Sequence, residues 1–220
     1  IAIVSSAFHQ TFLPFLKTIN SLEKIIVSDG DTGDWAEIVL KSECALKSAN
    51  THMDQSCFWL YSSGSTGKPK GTIHAQSSMR DTARLYAQPV LNLTNNDIVF
   101  SAAKLFFAYG LGNALTFPIL AGATTVLMAE RPTPQAVIRV LIELQPTVFY
   151  GVPTLYAALL ADSLLPDSHE LSLRICTSAG EALPSDLGTK WYEKFDINIL
   201  DGIGSTEMLH IFLSNRESDC

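Results

Sequence analysis

Four short apolar runs in this chain lead directly into glycine-containing loops. They are Tyr61 into Ser62-Ser63-Gly64, Tyr150 into Gly151, Thr177 into Ser178-Ala179-Gly180, and Leu200 into Asp201-Gly202-Ile203-Gly204. The runs are rich in β-branched and aromatic residues, which suit pleated, half-buried strands. In open α/β sheets, ligands sit beyond the carboxyl ends of the strands, where glycine lets backbone approach closely. One such loop is ordinary turn chemistry. Four together point to a ligand site.

The rest of the chain fits that frame. Strands are expected at Ile1–Ser5, Lys24–Ser28, Cys57–Tyr61, Thr124–Met128, Thr147–Tyr150, Leu173–Thr177 and Ile197–Leu200, with helical patterns between them. One helix opens with Thr133 as N-cap and Pro134 at its first position. It carries Val137, Val140, Leu141 and Leu144 on one face and stops at Pro146. Another follows Pro184, with Leu187, Trp191, Tyr192 and Phe195 as its apolar stripe. Alternating strand and helix predicts an α/β fold of mostly parallel sheets layered with helices. The segment Asp29-Gly30-Asp31-Thr32-Gly33-Asp34 reads as a linker or a surface turn.

Composition narrows the function classes. In 220 residues, 47% hydrophobic and 17% charged, a sizeable core is expected and disorder is not. A formal net charge of −7 with no run of like charges argues against a phosphate-backbone binder, so no nucleic-acid partner is expected. The cysteines Cys44, Cys57, Cys176 and Cys220 form no metal-type spacing and read as reduced, mostly buried thiols of a cytoplasmic protein. Leu105 to Ala129 carries no charge and has the length of a bilayer span. It also contains Gly110, Gly112, Asn113, Pro118, Gly122 and three threonines, so a short helix, a turn and a strand are expected there, and no membrane association. Ile1 does not resemble a natural start, and the last residues contain no closing element; both ends read as those of an excised piece.

The segment from Tyr61 to Gly71, Tyr-Ser-Ser-Gly-Ser-Thr-Gly-Lys-Pro-Lys-Gly, carries the clearest chemistry. Small hydroxyl and glycine residues (Ser62, Ser63, Gly64, Ser65, Thr66, Gly67) can surround phosphate oxygens with N–H and O–H groups. Lys70 can offset part of a polyphosphate's charge. The segment is not a Walker A loop, because the glycine spacing is wrong and Pro69 follows Lys68 directly. A serine- and glycine-rich surface linker is the plainer reading, opposed by the strand before it and the Gly-Thr-Ile-His run after it.

Residues 61–71 resemble the phosphate loop of the adenylate-forming superfamily, which includes acyl-CoA synthetases, luciferases and the adenylation domains of peptide synthetases. Two further motifs follow in that family's order. Ser178-Ala179-Gly180-Glu181-Ala182-Leu183-Pro184 resembles its adenine loop, and Asp201-Gly202-Ile203-Gly204-Ser205-Thr206-Glu207 its Thr-Glu motif. The resemblance implies an incomplete N-terminal nucleotide-binding domain over residues 1–220, with the C-terminal domain and its lysine, the hinge, and the ribose-binding aspartate all absent. It implies ATP, Mg²⁺ and coenzyme A as cofactors or co-substrates.

The chemistry accounts for these residue types. Attack of a carboxylate on the α-phosphorus brings two anions together. Glu207 would help hold Mg²⁺ and Thr206 would hydrogen-bond the α-phosphate, so Thr206, Glu207 and Lys70 are the expected catalytic residues. By itself, Thr206-Glu207 would read as a helix cap with a first-turn carboxylate. Gly180, Glu181, Ala182, Asp201, Gly202, Ile203, Gly204 and Ser205 complete the expected nucleotide contacts. Ile203 stands where the family usually has an aromatic residue, so an aliphatic contact replaces stacking on adenine.

Lys104-Leu105-Phe106-Phe107-Ala108-Tyr109-Gly110 occupies the place of the family's acyl-pocket motif and resembles that of benzoate–CoA ligases. The resemblance implies a flat aromatic-acid pocket lined by Tyr109, Ala179, Gly204, His210 and Ile211. Alone, Phe106 and Phe107 would read as core residues, and His210 in its apolar run as a satisfied core histidine. His74 is expected to pack on the loop or to lie exposed, and His9, His52 and His169 read as surface residues. The implied activity is conversion of an aromatic carboxylate to acyl-AMP, then transfer to CoA. An adenylation domain loading a carrier protein shares the first half-reaction, and a non-catalytic nucleotide-binding module is the remaining reading.

Overall fold

The computed structural model describes residues 1–29, 33–42, 47–63 and 67–219. Cys44, Cys220 and the loop centre Gly64, Ser65 and Thr66 lie outside the described residues. The chain forms two compact units, residues 1–50 and 51–220.

In the first unit, β1 (Ala2–Val4) pairs in parallel with β2 (Ile25–Val27). Helices α1 (Ser6–Phe12), α2 (Phe15–Thr18) and α3 (Asp34–Lys41) complete it. An Asp29 carboxylate oxygen accepts from the Ser6 N–H at 3.0 Å, and Asp34 accepts from the Val27 N–H at 3.2 Å. Asp29 and Asp34 are thus each bonded to backbone of this unit, and residues 30–32 between them lie outside the described residues. His9 is half-buried in this unit, whereas His52 and His169 are exposed.

The second unit opens with an antiparallel hairpin, β3 (Ser56–Ser62) and β4 (Lys70–Ala75), which sets Ser62 opposite Lys70. The main sheet follows: β5 (Ile98–Ser101), β6 (Thr124–Val126), β7 (Val148–Gly151), β8 (Ile175–Ala179), β9 (Ile199–Gly204) and β10 (Ile211–Ser214), in the order β10-β9-β8-β7-β5-β6. All neighbours run parallel except β10, which is antiparallel to β9. Parallel neighbours need crossovers. These are supplied by α5 (Ala108–Leu111) and α6 (Phe117–Ala121), α7 (Pro134–Leu144), α8 (Pro153–Leu160) and α9 (Ser185–Phe195), with α4 (Ser78–Thr82) preceding the sheet.

Successive strand residues point to opposite faces, and both faces are covered. Phe100 and Phe149 join Leu141, Tyr156, Trp191 and Phe195 in one core. Val99, Val148 and Tyr150 join Tyr86, Leu91 and Phe117 in the other. Thr133 caps α7 by accepting from the Ala136 N–H at 3.3 Å. The buried stripe of α7 is Val137, Ile138 and Leu141, and Leu144 is exposed at its left-handed C-terminus. In α9 the strict four-residue spacing of Leu187, Trp191 and Phe195 is buried, which turns Tyr192 outward. The uncharged stretch after Leu105 is broken into α5, a π-helical turn (Gly112–Thr116), α6 and β6. No helix among the described residues is long and apolar enough to cross a membrane.

At the amino end of the sheet, Arg174 grips Asp97 with two bonds of 2.7 and 2.8 Å. Burial alone would raise the Asp97 carboxyl. Arg174, with Thr94 and Thr147, overcomes that and pulls it down to about 2.

Candidate functional site

The opposite, carboxyl end of the sheet is where the glycine loops gather. β8 ends at Ala179, paired with Gly202 of β9. Gly180 follows at φ +94°, a conformation open to glycine at little cost, and turns the chain outward so that Gly180, Glu181 and Ala182 are exposed. The loop is fastened at its far side, where the Leu183 N–H donates to the Asp201 carboxylate at 3.2 Å. Asp201 thus holds the loop against β9. Ile203 is 59% exposed on the same strand, an aliphatic surface beside the loop.

The turn after β9 brings Thr206 and His210 to one place. Ser205 accepts the Met208 N–H at 3.1 Å and the Thr206 carbonyl accepts the Leu209 N–H at 3.2 Å. Leu209 then adopts a left-handed φ of 65° while buried, an unusual conformation for a leucine, and swings His210 inward. His210 Nε2 lies 2.9 Å from Asn113 Oδ1, and its ring sits among Tyr86, Tyr109 and Phe117 at 5.2, 5.4 and 4.5 Å. Burial holds the imidazole down at about 3, only partly offset by the Tyr109 backbone, so it is neutral. The ring rests on Gly112, where an added Cβ would come 2.3 Å from its Cδ2. The Tyr109 hydroxyl meets the Thr177 hydroxyl at 2.6 Å, and burial raises the phenol well above its ordinary range.

Tyr109, Ala179, Gly204, His210 and Ile211 together line a cavity of about 180 Å³, with Thr206 and Ser205 at its edge. A second cavity of about 660 Å³ lies alongside, between Ala103, Lys104, Phe107, Arg131, Gly151, Val152 and Leu155. The two share Tyr109, Ala179 and Gly180 as a common wall. Phe106 and Phe107 are not core residues: they are 71% and 56% exposed and pack on each other at 4.4 Å. They lie on the surface segment ahead of α5, where no core element reaches them.

Of the phosphate loop, Ser63, Gly67 and Lys70 are exposed at the open end of the β3–β4 hairpin and Ser62 is half-buried. His74 is buried one turn of the pleat further on, stacked on Phe58 at 5.1 Å. Burial lowers its pKa, partly countered by the Thr206 backbone and the charge of Glu207. Glu207 itself is exposed. No group of three or more His, Cys, Asp or Glu side chains among the described residues could hold a metal by itself. Cys176 is buried beside Tyr156 and Trp191, and burial pushes its thiol up to about 12. The contacts of Asn113, Gly112 and Thr177 with His210 and Tyr109 had no signal in the sequence, and His74, expected to pack on the loop or to lie exposed, is buried.

The glycine loops after β8 and β9 thus gather at the carboxyl end of one mostly parallel sheet, where α/β proteins place their ligands, and the Ser62–Lys70 hairpin forms a separate two-stranded sheet. The chain belongs to the AMP-binding enzyme family, whose pattern matches residues 2–220. It is 56% identical over 220 residues to benzoate–CoA ligase of Thauera aromatica, covering all of this chain and 42% of that protein. It is 46% identical over 210 residues to a 4-hydroxybenzoate–CoA/benzoate–CoA ligase of Rhodopseudomonas palustris, covering 92% of this chain and 37% of that one. The crystal structure of a benzoate CoA ligase from Burkholderia xenovorans LB400 superposes with a TM-score of 0.90 at 51% identity, over 99% of this chain and 43% of that one. The chain therefore spans less than half the length of these relatives.

Proposed function

We propose that these residues form the nucleotide and acid sites of an ATP-dependent aryl-acid–CoA ligase, within the N-terminal AMP-binding domain. The observation that carries this reading is the 180 Å³ cavity, in which five residues from three separated segments converge beside Thr206. A cavity of about 150 Å³ is enough for benzene, whereas drug-sized ligands need roughly 300–1,000 Å³. The ring of a benzoate-like acid would lie between Tyr109, Ala179 and Ile211, over the neutral His210. Its carboxylate would then face Thr206 and the phosphates.

In the first step a carboxylate oxygen attacks the α-phosphorus, the bond to the bridging oxygen breaks, and pyrophosphate leaves. Lys70 and the hydroxyls of Ser62, Ser63, Ser65 and Thr66 would hold the polyphosphate, and Thr206 the α-phosphate. Gly180, Glu181, Ala182, Ile203 and Ser205 would surround the nucleoside, with Asp201, Gly202 and Gly204 shaping the backbone. Glu207 suits Mg²⁺ as a single exposed carboxylate, since that ion commonly takes one or two carboxylates and completes its shell with phosphate oxygens and water. In the second step a thiolate attacks the acyl carbonyl and AMP leaves. The larger cavity, which shares a wall with the ring slot, is suited to the arm that carries the thiol. A cytoplasmic setting accords with this chemistry.

The test is acid-dependent ATP–pyrophosphate exchange by the full-length gene product over acetate, hexanoate, palmitate, benzoate and 4-hydroxybenzoate. Benzoate-type acids are expected to give the highest kcat/KM. A missing methylene-sized contact costs about 1–3 kcal/mol, so acetate should be a very poor substrate. Best activity with palmitate or acetate would overturn the aryl assignment. Transfer to a carrier protein but not to CoA would reassign the acceptor.

A further inference from the structure

The expected strand Thr124–Met128 stops at Val126, and the backbone just beyond it is bonded to a lysine from elsewhere in the fold. Lys104, in the segment after β5, sends its ammonium to the carbonyls of Met128, Ala129 and Glu130 at 2.5, 3.3 and 2.6 Å. An ammonium has three N–H donors, and here three consecutive carbonyls accept them. In a strand, successive carbonyls point in opposite directions, so three can converge on one point only where the backbone has left the extended form. No carboxylate is needed: that of Glu130 pairs with Arg139 on α7. The curled backbone delivers Arg131 and Pro132 to the wall of the 660 Å³ cavity, which the Lys104 stem also lines. Lys104 has no part in the ring slot beyond Tyr109.

We propose that Lys104 is a positioning residue for the thiol-transfer step: by gathering the carbonyls of residues 128–130 it sets the far wall of the larger cavity. It contributes little to formation of the adenylate. This rests on the aryl-acid–CoA ligase reading above.

The two half-reactions separate the possibilities. In the full-length gene product, Lys104→Met keeps the apolar stem and removes all three donors. ATP–pyrophosphate exchange should keep its KM for acid and for ATP within about twofold, while the KM for CoA in thioester formation rises about tenfold or more. Lys104→Gln, which retains two N–H donors, should show a smaller rise, and Arg131→Ala should raise the CoA KM with exchange unchanged and no loss of the curled segment. If Lys104→Met does not fold, the Gln and Ala variants carry the test. Exchange falling in parallel with thioester formation, or a CoA KM that does not move in the Lys104 variants, would overturn the proposal. Absence of acid-dependent exchange in the unmutated protein would instead overturn the reading of the site itself.

Discussion

The Tyr109 hydroxyl lies 2.6 Å from that of Thr177, joining helix α5 at the 180 Å³ cavity to strand β8. Thr177 is fully buried, so its hydroxyl has no water to turn to if Tyr109 is changed. Tyr109→Phe and Thr177→Val should each destabilise the fold by about 1–3 kcal/mol, through an orphaned hydroxyl. The double variant should lose less than the sum, since removing both partners leaves nothing unpaired. Denaturant titration of the four proteins measures the coupling, and purely additive losses would show that the two hydroxyls act independently.

Gly112→Ala should act on the acid and not on the nucleotide. The added methyl would meet the His210 ring at 2.3 Å and push it into the slot. Overpacking of this kind costs about 1–3 kcal/mol of stability. The expected kinetic sign is a raised KM for benzoate with the KM for ATP little changed, read from exchange assays. Equal effects on both would mean that His210 does not border the acid.

Glu207→Gln keeps the volume of an exposed side chain and removes its charge. If that carboxylate neutralises phosphate charge through Mg²⁺, exchange should slow by roughly 10²–10³ at unchanged thermal stability. Wild-type exchange would reduce Glu207 to a turn residue.

Two groups give the fold an acid sensitivity of known sign. His210 is neutral in the folded state down to about 3, whereas in the unfolded chain it protonates near 6.5. Its contribution is therefore complete above about 6.5 and is lost progressively as pH falls toward 3. Asp97, depressed from 3.8 to about 2 in the fold, contributes above its unfolded pKa and is lost only as pH falls through about 4 to 2. His210→Gln should flatten the stability profile between about 3 and 6.5 and leave the steeper fall below 4, where Asp97 titrates. A profile unchanged over the upper range would show that His210 is solvated in the folded protein.

Seven strands and two helices were legible because their own residues specify them: short apolar runs, four of them leading into glycine loops, the Thr133 cap with Pro134, the stop at Pro146, and the Leu187, Trp191 and Phe195 stripe after Pro184. Three strands were not. Lys70–Ala75 is polar and becomes a strand by pairing across the phosphate loop with Ser56–Ser62. Ile98–Ser101 is four residues long and takes its place from partners on both sides. Ile211–Ser214 runs back along β9 after a turn that includes the left-handed Leu209, which no local pattern announces. The site divides in the same way. The contiguous motifs stand out in the sequence, since close approach of backbone to a ligand would dictate glycine and small hydroxyl residues in succession. Asn113 and Lys104 were not, because a hydrogen bond across 97 positions or a curl imposed on a distant strand end leaves no local pattern.

The left-handed turn at Leu209 also limits how this chain can change its diet. Thr206 and His210 are four positions apart and are linked by one constrained turn, so on the proposed reading the residue that would face the phosphates and the residue that would lie beneath the ring share a single hinge of backbone. A lineage moving toward bulkier or differently substituted acids cannot reshape the His210 end without disturbing the Thr206 end. Ala179 and Tyr109, on β8 and α5, stand outside that turn. Adaptation to new rings should therefore accumulate at those two positions first, with the segment from Ser205 to His210 drifting slowly whatever acid is used.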